Sequence, residues 1–251
     1  MTPMIPKSHP RYASLLVRDR IVAGVRKGVT SPDGLIAHGR GEAFDYLIGE
    51  KTQPFAKSSI EAAAACLLLA RHPVISVNGN AAALCPKELV ALSAVLGCPL
   101  EVNIFHASGK REKAIAACLM NHGAKTVLLP GKDAVLEYLQ SNRKYVNREG
   151  IFSADTVFVP LEDGDRARAL IRNGKKVVTI DLNPLSRTAK AATVTIVDNI
   201  TRALPLLITR IRMLKKKKGI GKMGNRQLCR TIERYDNKNM LAQAERKMRR
   251  R

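Results

Sequence analysis

Between residues 74 and 214 the sequence alternates short aliphatic runs with amphipathic segments. Of all features of the sequence, this alternation most strongly restricts the folds that the chain can adopt. Six apolar runs are predicted strands, at residues 74–77, 100–105, 126–129, 156–159, 177–181 and 193–197. Five segments are predicted helices, at residues 86–96, 111–121, 134–141, 165–172 and 200–214. Strands that alternate with helices form parallel sheets covered on both faces. The sequence therefore predicts an α/β fold with a mostly parallel, doubly wound, Rossmann-like sheet.

Segments of different composition flank this core. An apolar helical stripe covers residues 11–28, and residues 29–57 are so rich in glycine, proline and charge that they are predicted to be mainly loop. The sequence SSIE at 58–61 is a capping box, which predicts a very apolar helix over 62–70, buried in the core or in a subunit interface. These features divide the chain into an N-terminal helix and loop (1–57), an α/β core (58–214) and a basic tail (215–251).

The tail carries half of the formal net charge of +22. Residues 215–251 contain 14 Lys/Arg and 3 Asp/Glu, a net charge of +11. Such a segment is expected to bind polyanions non-specifically, as an appendage that catalysis does not need. The alternative is a helix that folds against the body, because Met240, Leu241 and Ala244 form a short apolar stripe.

Composition also points to the compartment and excludes several protein classes. There is no apolar run long enough to span a membrane and no secretory signal at the start, and the five cysteines include no C-x-x-C pair. We therefore expect a cytoplasmic protein with reduced thiols and no membrane partner. A P-loop, a G-x-G-x-x-G turn after a strand and a G-x-S-x-G elbow are all absent.

Polar side chains follow the last two predicted strands. The octet DLNPLSRT at 181–188 places Asp181, Asn183 and Arg187 directly after an aliphatic run, and Asp198 and Asn199 follow the next run. In open α/β sheets, ligands bind at the carboxyl ends of the strands. A carboxylate can hold a ribose hydroxyl and a guanidinium can hold a phosphate. The two strand ends together predict a nucleotide pocket.

Two glycine-containing motifs supply further candidates. Gly39 and Gly41 flank Arg40, so the backbone can approach a ligand closely; the alternative is an ordinary glycine-rich turn with a surface arginine. The sequence NGN at 78–80 follows the first strand. Asn78 and Asn80 can orient a carboxylate there, or Asn78 can simply cap the next helix.

Three carboxylates, Glu162, Asp163 and Asp165, follow the strand predicted at 156–159. Carboxylates at a strand end can hold Mg²⁺ together with phosphates. Acidic residues are also favoured in the first turn of a helix, where Asp163 or Asp165 would serve as the cap. Taken alone, the motif favours the cap.

Five motifs make the chain recognisable, at residues 5–12, 34–49, 73–80, 160–165 and 181–189. Together they resemble the archaeal phosphopantothenate synthetases, the 4-phosphopantoate–β-alanine ligases of coenzyme A biosynthesis, in order over about residues 4–214. The resemblance implies a homodimeric, Mg²⁺-dependent ligase. It would join 4-phosphopantoate to β-alanine through an acyl-adenylate, using ATP as cosubstrate and releasing AMP and diphosphate.

The resemblance also implies site residues. Those expected to bind ATP are Arg18, Arg40, Asp181, Leu182, Asn183, Arg187, Thr188, Asp198 and Asn199. Asn78 and Asn80 are expected to bind the substrate, with His38 and Asn80 as catalytic residues. The apolar helix at 62–70 or the first helix is expected at the dimer interface.

The rival hypothesis is a basic α/β module that binds nucleic acid and has no ligase activity. An aromatic content of only 4% opposes it, because few aromatic side chains are present on which bases could stack.

Overall fold

A five-stranded parallel sheet forms the centre of the molecule, as the alternation predicts. The computed structural model describes residues 5–106, 108–216 and 222–250. The strands are β1 (Pro73–Val77), β2 (Leu100–Val102), β3 (Thr156–Phe158), β4 (Lys176–Ile180) and β5 (Val194–Ile196). Their order is β2-β1-β3-β4-β5, and every neighbouring pair is parallel. The α/β, Rossmann-like fold class is therefore confirmed.

Helices surround the sheet. In the described part of the chain they are α1 (Tyr12–Arg26), α2 (Pro32–Ile48), α3 (Pro54–Leu69), α4 (Gly79–Leu84), α5 (Pro86–Leu96), α6 (Gly109–Met120), α7 (Gly164–Arg172), α8 (Arg187–Ala191), α9 (Ile200–Lys216), α10 (Lys222–Glu233) and α11 (Asn237–Arg249). None of these helices is long and apolar enough to cross a membrane. All five cysteines are free thiols.

The two faces of the sheet pack into separate hydrophobic clusters. Ile75, Phe158 and Val178 belong to the larger cluster, which also takes side chains from α1, α3, α5 and α9. Val74 and Val157, their neighbours in sequence, point to the opposite face and a smaller cluster that includes residues of α7. Successive strand residues alternate between faces, so strands that are covered on both sides must be apolar throughout. This explains the uniformly aliphatic runs in the sequence.

The segment predicted as loop over 29–57 is mostly the helix α2, so that prediction is wrong. Its glycines lower intrinsic helix propensity, but tertiary contacts outweigh this cost. Gly34 lies so close to the side chains of Thr30 and Asn80 that a Cβ there would collide with both. Asn80 Nδ2 donates to the Gly34 carbonyl at 3.0 Å. Glycine at this position thus allows α2 to pack tightly against α4.

Several predicted boundaries also shift. The helix predicted at 62–70 begins earlier, at Pro54 of α3, and Gln53 rather than the capping box precedes its first turn. The run at 126–129 forms only an isolated bridge between Leu128 and Glu101. The helix predicted over 134–141 is absent, because the backbone N–H of Leu136 donates instead to the carbonyl of Lys144 at 2.8 Å. An isolated antiparallel bridge between Val135 and Tyr145 therefore replaces the local helical bonds.

The described part of the basic tail folds against the body rather than forming an appendage. Leu241 and Ala244 of α11 are buried in the larger hydrophobic cluster. Asn237 Nδ2 donates to the carbonyl of Ala189 at 2.9 Å, and the Thr195 N–H of β5 donates to Asn237 Oδ1 at 2.9 Å. Helix α10 packs on α3, and α11 packs on α2, α3, α8 and β5. The alternative of a helix packed on the body is the one observed.

The very apolar helix α3 is thereby explained. Its residues from Ala62 to Leu67 are buried within one copy of the chain, against α9, α10 and α11. The prediction of a core helix is confirmed. This face of α3 is covered within the protomer, so it does not need a second subunit.

Candidate active site

A cleft opens at the carboxyl ends of the strands, where the strand order reverses between β1 and β3. The two strand ends are joined by Asn78, whose Nδ2 donates to the carbonyls of Pro160 and Leu161 at 3.0 and 2.9 Å. Asn78 Oδ1 also accepts from the Ala81 N–H at 3.0 Å and caps α4. The capping alternative for Asn78 is therefore the one observed. Ligands in open α/β folds bind at such reversal points.

The cleft consists of two adjoining cavities. The first, here called the octet cavity, has a volume of about 300 Å³; residues lining it include His38, Gly41, Glu42, Asp181, Leu182, Asn183 and Asn199. The second, the α6 cavity, has a volume of about 490 Å³; residues lining it include Asp33, Asn78, His106, Arg111, Arg143 and Asp163. Five residues line both, namely Ala37, Arg40, Asn80, Leu161 and Glu162. A molecule in one cavity can thus touch a molecule in the other.

The octet folds into a compact turn held by its own side chains. Asp181 accepts hydrogen bonds from the N–H of Asn183, at 2.9 Å, and from the Ser186 hydroxyl. Asn183 Oδ1 accepts from the Leu185 N–H at 2.9 Å, and Ser186 caps α8. Burial raises the pKa of Asp181, while the bonds from Ser186 and Asn183 oppose this rise. The polar atoms first build the loop, and the loop then forms one wall of the cavity.

His38 lies on the opposite wall, on α2. Burial lowers its pKa below the usual 6.5, although the charge of Glu42 opposes this effect. The ring is therefore neutral at pH 7. Its Nε2 is buried and has no hydrogen-bond partner in the described part of the chain. A buried polar atom without a partner costs free energy, so Nε2 is a candidate ligand contact.

Arg18 contacts this wall through Glu42. Arg18 Nε donates to the two carboxylate oxygens of Glu42 at 3.0 and 2.9 Å. Burial alone would raise the pKa of Glu42, but hydrogen bonds from Arg18 and Ser14 outweigh it and lower the pKa. Arg18 itself does not line the octet cavity. In this structure Arg18 thus acts on the cavity by fixing the carboxylate beside His38.

Arg40 occupies the junction of the two cavities. Its side chain is exposed, and it makes no hydrogen bond or ion pair with any residue that the structure describes. Gly41, beside it, faces Leu182, and a Cβ there would lie 3.5 Å from Leu182 Cδ1, in ordinary van der Waals contact. An arginine with free donors at the meeting point of two cavities is well placed to bind an anion.

Other predicted residues support the cleft from behind. Asp198 is buried and accepts from the Thr52 hydroxyl at 2.6 Å and from Arg202 Nη2 at 2.6 Å. Asn199 lines the octet cavity, and its Nδ2 donates to Asp45 Oδ2 at 2.8 Å. These bonds tie the end of β5 and the start of α9 to α2.

Two residues of the octet and one asparagine are also engaged in the fold. Arg187 lies outside both cavities and pairs with Asp165 at 3.0 Å, with 60% of its side chain exposed. Thr188 is buried, and its hydroxyl donates to the Glu162 carbonyl at 2.8 Å. Asn80 uses its amide on the Gly34 carbonyl and accepts from the Thr30 hydroxyl.

The carboxylates at 162–165 form ion pairs rather than an open metal site. The side chain of Glu162 is fully buried and pairs with both Arg143 and Arg166. Asp163 caps α7 by accepting from the Arg166 N–H at 2.9 Å, and it also pairs with Arg143. Burial would raise the pKa of Asp163, but the charge of Arg143 and these hydrogen bonds lower it. The cap alternative is the one observed, and the structure describes no cluster of three His, Cys, Asp or Glu side chains that fits a metal ion.

Sequence reasoning missed the arginines of this region. Arg143 lies in a short 3₁₀ helix at residues 142–144, and its Nε donates at 2.9 Å to Asn103 Oδ1, 40 residues away in sequence. Arg111 lies in the first turn of α6 and lines the α6 cavity. Neither stands in a motif with a glycine or at the end of a predicted strand. Only the fold brings them to the cleft.

Similarity to known proteins identifies the family of this chain. The sequence model of a family described as phosphopantothenate/pantothenate synthetase matches residues 55–251. A 4-phosphopantoate–β-alanine ligase of Methanosarcina mazei is 50% identical over 240 residues, which are 96% of this chain and 92% of the relative. The enzyme of the same name from Thermococcus onnurineus is 51% identical over 94% of this chain and 89% of its own length. A third, from Methanospirillum hungatei, is 52% identical over 80% of this chain and 82% of its own length. The chain therefore belongs to the phosphopantothenate/pantothenate synthetase family.

Proposed function

We propose that this chain is an ATP-dependent ligase that joins 4-phosphopantoate to β-alanine in coenzyme A biosynthesis and acts in the cytoplasm. The observation that carries the proposal is the identity of about 50% to enzymes named 4-phosphopantoate–β-alanine ligase, over nearly the whole chain. The adjoining cavities at the strand-order reversal support it, because the reaction needs two anionic molecules in contact. Free cysteines are compatible with a reducing compartment.

ATP is proposed to occupy the octet cavity. Asp181, Leu182, Asn183 and Asn199 would surround the nucleoside, since the carboxyl ends of β4 and β5 form this wall. Arg40 would contact the phosphates at the junction. Thr188 and Asp198 would support the site by holding its backbone, and Arg18 by holding Glu42. Arg187 would reach the nucleotide only by leaving Asp165.

The proposed reaction has two steps. A carboxylate oxygen of 4-phosphopantoate attacks the α-phosphorus of ATP, the bond to the β-phosphate oxygen breaks, and diphosphate leaves. The nitrogen of β-alanine then attacks the acyl carbon, the bond to AMP breaks and the amide forms. The protein contributes by holding the carboxylate and the α-phosphorus at the junction, where proximity can supply roughly 7–11 kcal/mol of the barrier at best.

His38 is proposed to accept a proton from the ammonium group of β-alanine. Its neutral ring at pH 7 and its buried, unpartnered Nε2 support this role. Asn80 is proposed to position the catalytic wall, because its amide holds the backbone of α2 four residues before His38. Asn78 is proposed to shape the substrate cavity through its bonds to Pro160 and Leu161.

Mg²⁺ is proposed to arrive with ATP rather than to occupy a protein cage. The donor set supports this, because Glu162, Asp163 and Asp165 are each paired with an arginine. Mg²⁺ commonly binds through substrate phosphates and water with few protein carboxylates.

A homodimer is also proposed, with α2 at its interface. One face of α2 carries Ile36, Gly39, Ala43 and Leu47 at helical spacing, and all four are exposed. Ile36 is 67% exposed, and nothing lies within 4 Å of a Cβ at Gly39. The variant Ala43→Glu is expected to sediment as a monomer where the wild type sediments as a dimer. A monomeric wild type at micromolar concentration would contradict this proposal.

Binding of polyanions is proposed for α10. Arg226, Arg230 and Arg234 recur every four residues and line one groove, and none of them is ion-paired with a residue that the structure describes. Retention on heparin should fall steeply with salt. In the triple Arg→Gln variant it should fall at every salt concentration. Unchanged retention would assign the polyanion affinity to another part of the chain.

The decisive experiment measures AMP. The purified protein should release AMP from ATP only when 4-phosphopantoate and β-alanine are both present. No AMP under these conditions, with ATP binding intact, would overturn the ligase proposal and favour the nucleic-acid-binding rival.

A further inference from the structure

The α6 cavity contains two arginines that the fold leaves without an acidic partner. Arg40 and Arg111 both line it, and neither forms an ion pair within the described ranges. Arg40 lies where the α6 cavity meets the octet cavity, whereas Arg111 lines the α6 cavity and not the octet cavity. The cavity therefore has a cationic group at the junction and a second one that belongs to it exclusively.

Arg111 is the more unusual of the two. Its Nε is buried and has no hydrogen-bond partner among the described residues. With the residues that the structure describes, its guanidinium makes one long hydrogen bond, from Nη1 to the His106 carbonyl at 3.4 Å. A buried guanidinium N–H without an acceptor is unfavourable unless a ligand supplies one. The planar fork of arginine matches the oxygens of a phosphate group.

The acids of this cavity do not neutralise Arg111. Arg143 pairs with both Glu162 and Asp163, and Arg166 pairs with Glu162. These two acids and two arginines together have no net charge. The remaining acid, Asp33, is 73% exposed and lies 3.9 Å from His106 Nε2. The positive charge of Arg111 is thus available to a ligand.

The proposed reaction fixes the direction of the substrate. The carboxylate of 4-phosphopantoate must lie at the junction, because it attacks ATP in the octet cavity. The other end of the molecule then extends into the α6 cavity. That end carries either a phosphate group or, in pantoate, a hydroxyl group. The family is described as phosphopantothenate/pantothenate synthetase, so both acids are relevant.

We propose that Arg111 binds the phosphate group of the substrate and makes the enzyme select 4-phosphopantoate over pantoate. This inference rests on the proposed ligase function. Arg111 is a specificity-determining residue, and it takes no part in adenylation or amide formation. Its loss should therefore weaken the use of the phosphorylated acid and leave the unphosphorylated acid unaffected.

The test compares Arg111→Gln with the matched control Lys110→Gln. Lys110 is the neighbouring cation in the same turn of α6, is exposed, and does not line the cavity. AMP release is measured with each acid at saturating β-alanine. Arg111→Gln should lower kcat/KM for 4-phosphopantoate about ten- to hundredfold, as expected for a lost charged hydrogen bond. It should leave kcat/KM for pantoate and the KM for ATP unchanged, and Lys110→Gln should change none of them.

Binding of each acid to the intact protein, measured by calorimetry, separates the two proposals. If no AMP forms with either acid, the ligase function fails, and the calorimetric comparison still judges Arg111. Weaker binding of 4-phosphopantoate alone in Arg111→Gln would support the inference. Equal losses for both acids, no loss for 4-phosphopantoate, or a wild type that does not prefer the phosphorylated acid would overturn it.

Discussion

The buried ion cluster beneath the cleft provides the sharpest test of the structure. Glu162 and Arg166 have no exposed side-chain surface, and Arg143 is 5% exposed. Glu162→Gln keeps the shape of the side chain and removes its charge. Asp163 then remains as the acidic partner in the cluster, so one excess positive charge stays in the interior.

The expected cost is large. Breaking a buried pair by removing one partner typically destabilises a protein by about 3–5 kcal/mol, because the remaining charge is buried without compensation. For a protein of this size, each kcal/mol lowers the thermal midpoint by about 2–4 °C, so Glu162→Gln should lower it by about 6–20 °C. Within the described ranges, the buried Nε of Arg166 already has no partner, and apart from Glu162 its guanidinium bonds only to Ser76, from Nη2 at 3.0 Å.

The chain contains a matched control at the same helical spacing. Glu245 and Arg249 form an (i, i+4) pair on α11 with 32% and 76% of their side chains exposed. Exposed helical pairs contribute about 0.3–0.5 kcal/mol, so Glu245→Gln should shift the midpoint by at most about 2 °C. The double variant Glu162→Gln/Arg166→Met removes both charges of the buried pair and should recover part of the loss.

Calorimetric melting of the four proteins at pH 7 is the assay. Equal small shifts in Glu162→Gln and Glu245→Gln would refute the reasoning, since burial would then add nothing to the cost of losing the partner. A double variant that melts below Glu162→Gln would show that Arg166 stabilises the fold by packing rather than through its carboxylate.

Four further predictions follow from other residues. Arg40→Ala should remove most AMP release without moving the thermal midpoint, and wild-type turnover would contradict a role for Arg40. His38→Gln should lower turnover and abolish the acidic limb of the pH profile. In the wild type the midpoint of this limb should lie below pH 6.5, because burial lowers the pKa of His38. An unchanged limb in His38→Gln would assign it to another group. Burial raises the pKa of Glu101 to about 7, so the folded state favours its protonated form, and the free energy of unfolding should fall by on the order of 3 kcal/mol as pH rises from 4.5 to 7. Urea unfolding at pH 5 and pH 8 should show this fall in the wild type but not in Glu101→Gln. Parallel changes in both proteins would count against it. Truncation after Lys216 removes the buried Leu241 and the contacts of α11 with α2, so the thermal midpoint and the turnover should both fall. Full activity of the truncated chain would instead show that catalysis does not need the tail.

The sequence alone determines the sheet and the place of the cleft. Strands covered on both faces must be aliphatic throughout, and helices must carry an apolar stripe, so local patterns suffice to predict an alternating α/β fold. Polar residues directly after a strand, such as Asn78, Asp181 and Asn199, lie at the same edge of a parallel sheet. The presence of a polar cavity at this edge could therefore be predicted, although the full set of residues that line it could not.

Other features depend on contacts between distant segments. Helix α2 forms despite its glycines because Gly34 packs against Asn80, 46 residues away. The basic tail folds because Leu241 and Ala244 find an apolar surface on the body. The apolar stripe of the tail is visible in the local sequence, but the surface that it covers is not, and neither is the residue against which Gly34 packs.

The charge state of the cleft was likewise decided by the tertiary structure. The sequence predicts acids at a strand end that either cap a helix or hold Mg²⁺, but it does not show that Arg143 pairs with both Glu162 and Asp163. Arg111 lies in a predicted helix, but only the fold shows that it lines a cavity and that its buried Nε has no acceptor among the described residues. The sequence gives the number and type of charged groups. Which charges pair and which remain free depends on distances that only the folded chain sets, because electrostatic energies in a protein vary steeply with separation and burial.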